Sequence, residues 1–120
     1  MRIENLGRVE PFITKDGSEI RELAGTPTGN AEQQSLAEAT VPPGGETEEH
    51  YHAVTEEIYF FTSGSGRLRL GDGESEVSAG DTVVIPPGAR HKLWNTGTGP
   101  LKLLCCCAPP YSHEDTFLTE

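Results

Sequence analysis

From Ser35 onward, apolar residues fall into short runs that glycine and proline repeatedly interrupt. Such runs are too short to develop the 3.6-residue period of a packed helix, and they suit half-buried strands. They predict strands over 35–41, 48–53, 57–62, 66–71, 75–78, 82–86, 91–95 and 101–108. Most of the breaks carry turn chemistry, since glycine reaches positive φ and proline presets a turn. They read Pro42-Pro43-Gly44-Gly45, Ser63-Gly64-Ser65-Gly66, Gly71-Asp72-Gly73, Ala79-Gly80-Asp81, Pro86-Pro87-Gly88 and Gly97-Thr98-Gly99-Pro100. Short strands in this rhythm predict an all-β jelly-roll barrel.

Upstream, Val9 to Lys15 runs into Asp16-Gly17, a dipeptide that favours a tight hairpin turn. Ser18 to Ala24 reads as the returning strand or as one helical turn capped by Ser18, because Ile20 and Leu23 also fit a helical spacing. The strand is the preferred reading. The chain then divides into an N-terminal arm and loop over 1–33, a barrel over 34–108 and a C-terminal tail over 109–120. The tail opens on two prolines and is expected to pack over the barrel without entering it.

Length and composition narrow the function. With 120 residues there is room for one hydrophobic core. Nine Lys and Arg against nineteen Asp and Glu give a net charge of −10, which argues against nucleic acid or an anionic membrane as partner. Cys105, Cys106 and Cys107 are adjacent and have no spaced partners, so no internal disulfide framework can be drawn. No apolar run is long enough to span a bilayer. Together these features predict a cytoplasmic protein in a reducing compartment.

The candidate chemistry centres on histidine. His50 and His52 lie two apart, so on one strand their side chains leave the same face with Cα atoms about 6.7 Å apart. Two imidazoles at that spacing can converge on one metal ion. Glu57 lies at odd parity from His52, so the chain must turn at Ala53-Val54-Thr55-Glu56 before Glu57 can join them. His91 opens a separate strand after Pro86-Pro87-Gly88-Ala89-Arg90. Singly, each histidine reads as a surface or hydrogen-bonded residue. The set is notable because short strands can bring all the parts of an imidazole and carboxylate site together.

These residues form two motifs, Gly44-x5-His50-x-His52-x4-Glu57-x6-Gly64 and Gly80-x5-Pro86-x-Gly88-x2-His91-x3-Asn95. They resemble the two motifs of the cupin superfamily, and the short spacer over 65–79 is similar to that of compact single-domain microbial cupins. The resemblance implies a double-stranded β-helix holding one divalent metal, Fe, Mn, Ni or Zn, on His50, His52, Glu57 and His91. Glu57 is preferred to Glu56 because the six-residue step to Gly64 starts from it. Asn95 is expected to be structural.

Alternation adds a pocket. Inward Glu57 implies inward Tyr59 and Phe61, and inward His91 implies inward Leu93, which gives a partly aromatic wall suited to a small organic ligand. Arg90 and Lys92 could steer an anionic one. At opposite parity, Ile58, Phe60 and Trp94 point outward and predict a homodimer formed by sheet packing, the alternative being coverage by the chain's own arm or tail. Cys105 and Cys107 share one face and read as small packing residues; His113 reads as a surface histidine. Two functions fit: a metalloenzyme of the dioxygenase or isomerase/lyase kind with Glu57 as ligand and base, or a metal-dependent small-molecule binder or sensor without turnover.

Overall fold

The computed structural model describes all residues, 1–120. After a short 3-10 turn at Leu6–Arg8 come β1 (Phe12–Ile13), β2 (Glu19–Ala24), β3 (Ser35–Val41), β4 (His50–His52), β5 (Glu56–Ser63) and β6 (Ser65–Leu70). They are followed by β7 (Gly73–Ser78), β8 (Thr82–Ile85), β9 (His91–Asn95), β10 (Leu101–Ala108) and β11 (Thr116–Leu118). All pairings are antiparallel. One sheet runs β1-β2-β3-β10-β5-β8 and the other β11-β4-β9-β6-β7. No helix is long and apolar enough to cross a membrane.

Strand alternation explains the barrel interior. On β5, Glu57, Tyr59 and Phe61 are buried while Glu56, Ile58 and Phe60 are exposed. Tyr59 and Phe61 join Ala39, Val41, Leu68, Val77, Ile85, Leu93, Leu101 and Leu103 in one apolar cluster between the sheets. Gly64, at φ +88, makes the tight reversal from β5 to β6; a Cβ there would stand 2.6 Å from the Pro100 carbonyl oxygen. Only glycine fits that turn. Asn95 ties β9 to its surroundings, donating its side-chain amide to the carbonyls of Val41 and Gly99, both at 2.9 Å.

The predicted barrel strands correspond to β3 through β10, with ends displaced by no more than two residues. Asp16-Gly17 does turn a hairpin, with Gly17 at φ +92, and the following segment is a strand. The tail differs from expectation. Its Thr116–Leu118 stretch pairs with β4 and becomes an edge strand, placing Thr116 opposite His52 and Leu118 opposite His50. Three residues are too few for a period to show, and what selects them is the open edge that β4 would otherwise present. Trp94 is half-buried on the outer face of its sheet, where Arg67, Arg69 and Lys92 stand over its ring at 4.8, 5.3 and 5.6 Å. The chain's own cations therefore cover it.

Candidate metal centre

His50 and His91 are direct cross-strand partners, and His52 projects from the same face of β4. The three rings are buried, with centroids 4.2 to 5.6 Å apart, and each offers a ligand atom within 4.8 Å of the others. Backbone carbonyls fix their tautomers. Nδ1 of His50 lies 2.9 Å from the Glu48 carbonyl and Nδ1 of His91 lies 3.0 Å from that of Ala89. Nδ1 of His52 is 3.3 Å from the Asp115 carbonyl and 3.2 Å from Thr116 Oγ1, whose own proton goes to the Ser112 carbonyl. A carbonyl only accepts, so each Nδ1 carries the proton and each Nε2 is left as a lone pair.

Glu57 faces these lone pairs. Its Oε1 is 3.3 Å from His52 Nε2 and 3.6 Å from His91 Nε2, while Oε2 accepts from the Cys107 thiol at 3.3 Å. Burial works against the Glu57 charge, but His52 and His91, when they carry a proton on Nε2, outweigh it and bring its pKa down to about 2. Burial likewise lowers His52, and Glu57 reverses the sign and raises it. His50, depressed by burial and by the nearby His91, is held low. Glu57 Oε1 and His91 Nε2 are fully enclosed and have no hydrogen-bond partner. Acceptors facing acceptors in a dry site are costly unless a cation lies between them. The donor set, imidazole nitrogens and a carboxylate oxygen, fits a divalent transition metal or zinc.

Of the other sequence candidates, Tyr59 and Leu93 line a cavity of about 370 Å³ that includes His50, His52 and Glu57. Phe61 is fully buried in the core and does not line it. Glu56 is exposed. Arg90 and Lys92, considered as anion guides, do not line the cavity; Lys92 pairs with Glu120 and, at 3.6 Å, with Glu46 on the outer side. Cys105 and Cys107 face the cavity and Cys106 faces away. Burial, then the neighbouring Glu57 charge, pushes both inner thiols up, so they remain protonated.

Two carboxylates escaped the sequence reading. Asp16, in the β1–β2 hairpin, is buried with Oδ2 3.7 Å from His50 Nε2, and its Oδ1 accepts from the Ser18 amide and hydroxyl at 2.9 and 2.6 Å. Asp115, in the tail, accepts from the amides of Ala53, Val54 and Thr55 at 3.0 to 3.2 Å. It thereby sets the turn that carries Glu57 back beside His52. The Asp-Gly dipeptide marked Asp16 as a turn residue, and nothing local marked Asp115.

The profile of the cupin domain family matches residues 37–107. The chain belongs to the cupin family. It is a compact cupin of one domain, 50% identical over 94% of its length to an uncharacterized protein of Methanocaldococcus jannaschii, 90% of which is covered. The polyketide cyclase RemF of Streptomyces resistomycificus superposes on this cupin with a TM-score of 0.82 at 26% identity, covering all of this chain and 88% of that one. The nucleoside dehydratase Pac13, whose Streptomyces form has a structure with uridine, shares the fold at 18% identity and a TM-score of 0.79, over all of this chain and 91% of that one.

Proposed function

We propose that this cupin holds one divalent metal ion on His50, His52, His91 and Glu57 and uses it to transform a small organic molecule by proton transfer, in the isomerase or lyase class. The observation that carries the reading is the buried set of acceptors with no donor, Glu57 Oε1 and His91 Nε2 above all. A bound ion would polarise an oxygen of the substrate and make a neighbouring proton easier to remove. Glu57 is then a ligand whose oxygen can also take a proton at the metal, and Asp16 adds a second acidic group across the cluster beside His50. Tyr59 and Leu93 provide the apolar wall against which a carbon skeleton packs. The likeness to a polyketide cyclase supports proton-transfer chemistry over oxygenation.

The same reading includes a homodimer through the outer face of β5 and a cytoplasmic setting. The second is supported by three free thiols. Elemental analysis of the purified chain should give one metal per chain. His52→Ala should lose most of it and His113→Ala should keep it; the reverse pattern would overturn the ligand set. Turnover of a substrate panel should be equal in air and under nitrogen. Oxygen-dependent turnover would replace the proton-transfer reading with a dioxygenase, and tight binding without turnover would replace it with a sensor.

A further inference from the structure

We propose that the cavity selects a neutral, hydroxylated ring compound and rejects carboxylates and phosphate esters. This names the substrate class of the proposed site and rests on that reading. The argument is one of charge. Asp16, Glu22, Glu57 and Glu114 line the cavity, and no Lys or Arg does. Cations nearby are engaged elsewhere: Lys15 donates to the carbonyls of His113 and Thr116, Arg69 pairs with Glu49 at 2.7 Å, and Lys92 pairs with Glu46 and Glu120.

A divalent cation brings two positive charges, which Glu57 and Asp16 match between them. Glu22 and Glu114 then decide the sign of the field that an incoming ligand meets, and it is negative. An anion entering here finds like charge and no donor fork to hold it, whereas an uncharged molecule suffers no such repulsion.

The neutral groups in the wall fit a hydroxylated ring. Phe12, Ile20 and Tyr59 offer apolar and aromatic faces. Thr14 Oγ1, Tyr111 Oη and His113 Nδ1 form a chain, at 2.7 and 3.1 Å, whose two hydroxyls both donate and accept. Such a chain can pair with a hydroxyl whichever way its proton points.

The test titrates catechol and 3,4-dihydroxybenzoate, which differ by one carboxylate, into zinc-loaded protein by calorimetry, with zinc content measured on the same sample. Catechol should bind at least about tenfold more tightly. A variant combining Asp16→Asn, Glu22→Gln and Glu114→Gln should shrink that preference to within about threefold. Because Asp16 also holds Ser18, the double variant E22Q/E114Q is measured beside it and should shrink the preference in part. Equal or tighter binding of the benzoate, no binding of either compound to zinc-loaded protein, or an undiminished preference in both variants would overturn the proposal. A chain that takes up no zinc sinks the metal reading instead. The same pair titrated into metal-free protein then decides this one by the same tenfold preference.

Discussion

At Glu57 two demands conflict, since its inner oxygen is buried against imidazole lone pairs that cannot donate to it. Glu57→Gln keeps the shape, removes the charge and introduces an amide that can donate to an Nε2. Metal affinity should fall at least about tenfold, the scale on which even outer-shell partners act. In metal-free protein the outcome depends on pH. At alkaline pH, once His52 has lost its proton, the variant should melt no lower than the parent because it relieves an unsatisfied pair. At acid pH, where the raised His52 carries a proton and pairs with Glu57, the parent should recover the advantage. Thermal melts of chelated protein at both pH values check this; a variant that melts lower at both would show that the carboxylate has adequate partners without a metal. Cys107 sits on the other oxygen, so Cys107→Ser should preserve that hydrogen bond and leave the metal content unchanged.

The elements divide by how locally they are specified. β4, β5 and β9 were legible because each is bounded by turn residues and alternates, or carries its ligands two apart, within one short run. Given inward Glu57 and His91, alternation also placed Tyr59, Phe61 and Leu93 on inward faces. It could not distinguish a residue lining the cavity from one beneath its floor, which is why Phe61 was assigned to the pocket. β11 and the two missed carboxylates depend on contacts that no window contains: Asp115 grips amides about 60 residues away, and Asp16 reaches His50 from an arm hairpin. Asp115→Ala should strip three amides of their acceptor, lower stability by about 1 to 3 kcal/mol and weaken metal binding by about 10- to 100-fold, although it touches no metal through its side chain. Urea melts with parallel metal titration check it, and undiminished metal affinity would mean that the turn holds Glu57 unaided. The outer face of β5 makes a separate prediction. Ile58 and Phe60 are 37% and 40% exposed, with Val84 opposite Ile58 and Leu104 opposite Phe60. Sedimentation of the parent should give a dimer and that of Phe60→Glu a monomer with its metal retained; a monomeric parent at tens of micromolar would leave that face without a second copy.

Across the whole molecule, the apolar cluster between the sheets contains none of the metal ligands, so the fold should outlast removal of the metal. Chelated protein should keep its β spectrum and a cooperative melt. Its stability should lie below that of the loaded form by about 2.7 kcal/mol when free metal is about a hundredfold above its dissociation constant. The pH dependence of this gap is the sharper test. In the metal-free chain, His52 is raised, so its stabilisation is complete below about 6.5 and is lost as pH rises through the folded value. His50 is lowered, so it resists protonation and its effect has the opposite sign, costing stability as pH falls below about 6.5. The two slopes oppose each other through the imidazole range, so the metal-free melt should depend on pH there less than either group alone would make it. Further down, Glu57 dominates: held near 2, it stabilises the fold above about 4.5 and that contribution is lost as pH falls towards 2. Metal changes this, because it needs each imidazole as a lone pair and competes with protons for it. The gap between loaded and metal-free protein should therefore widen with rising pH, by up to about 1.4 kcal/mol per pH unit for each imidazole that must release a proton. Scanning calorimetry of both forms at about pH 5, 6, 7 and 8 reads it directly. A gap that holds constant across that range would mean that the ion, wherever it binds, is not held by histidine.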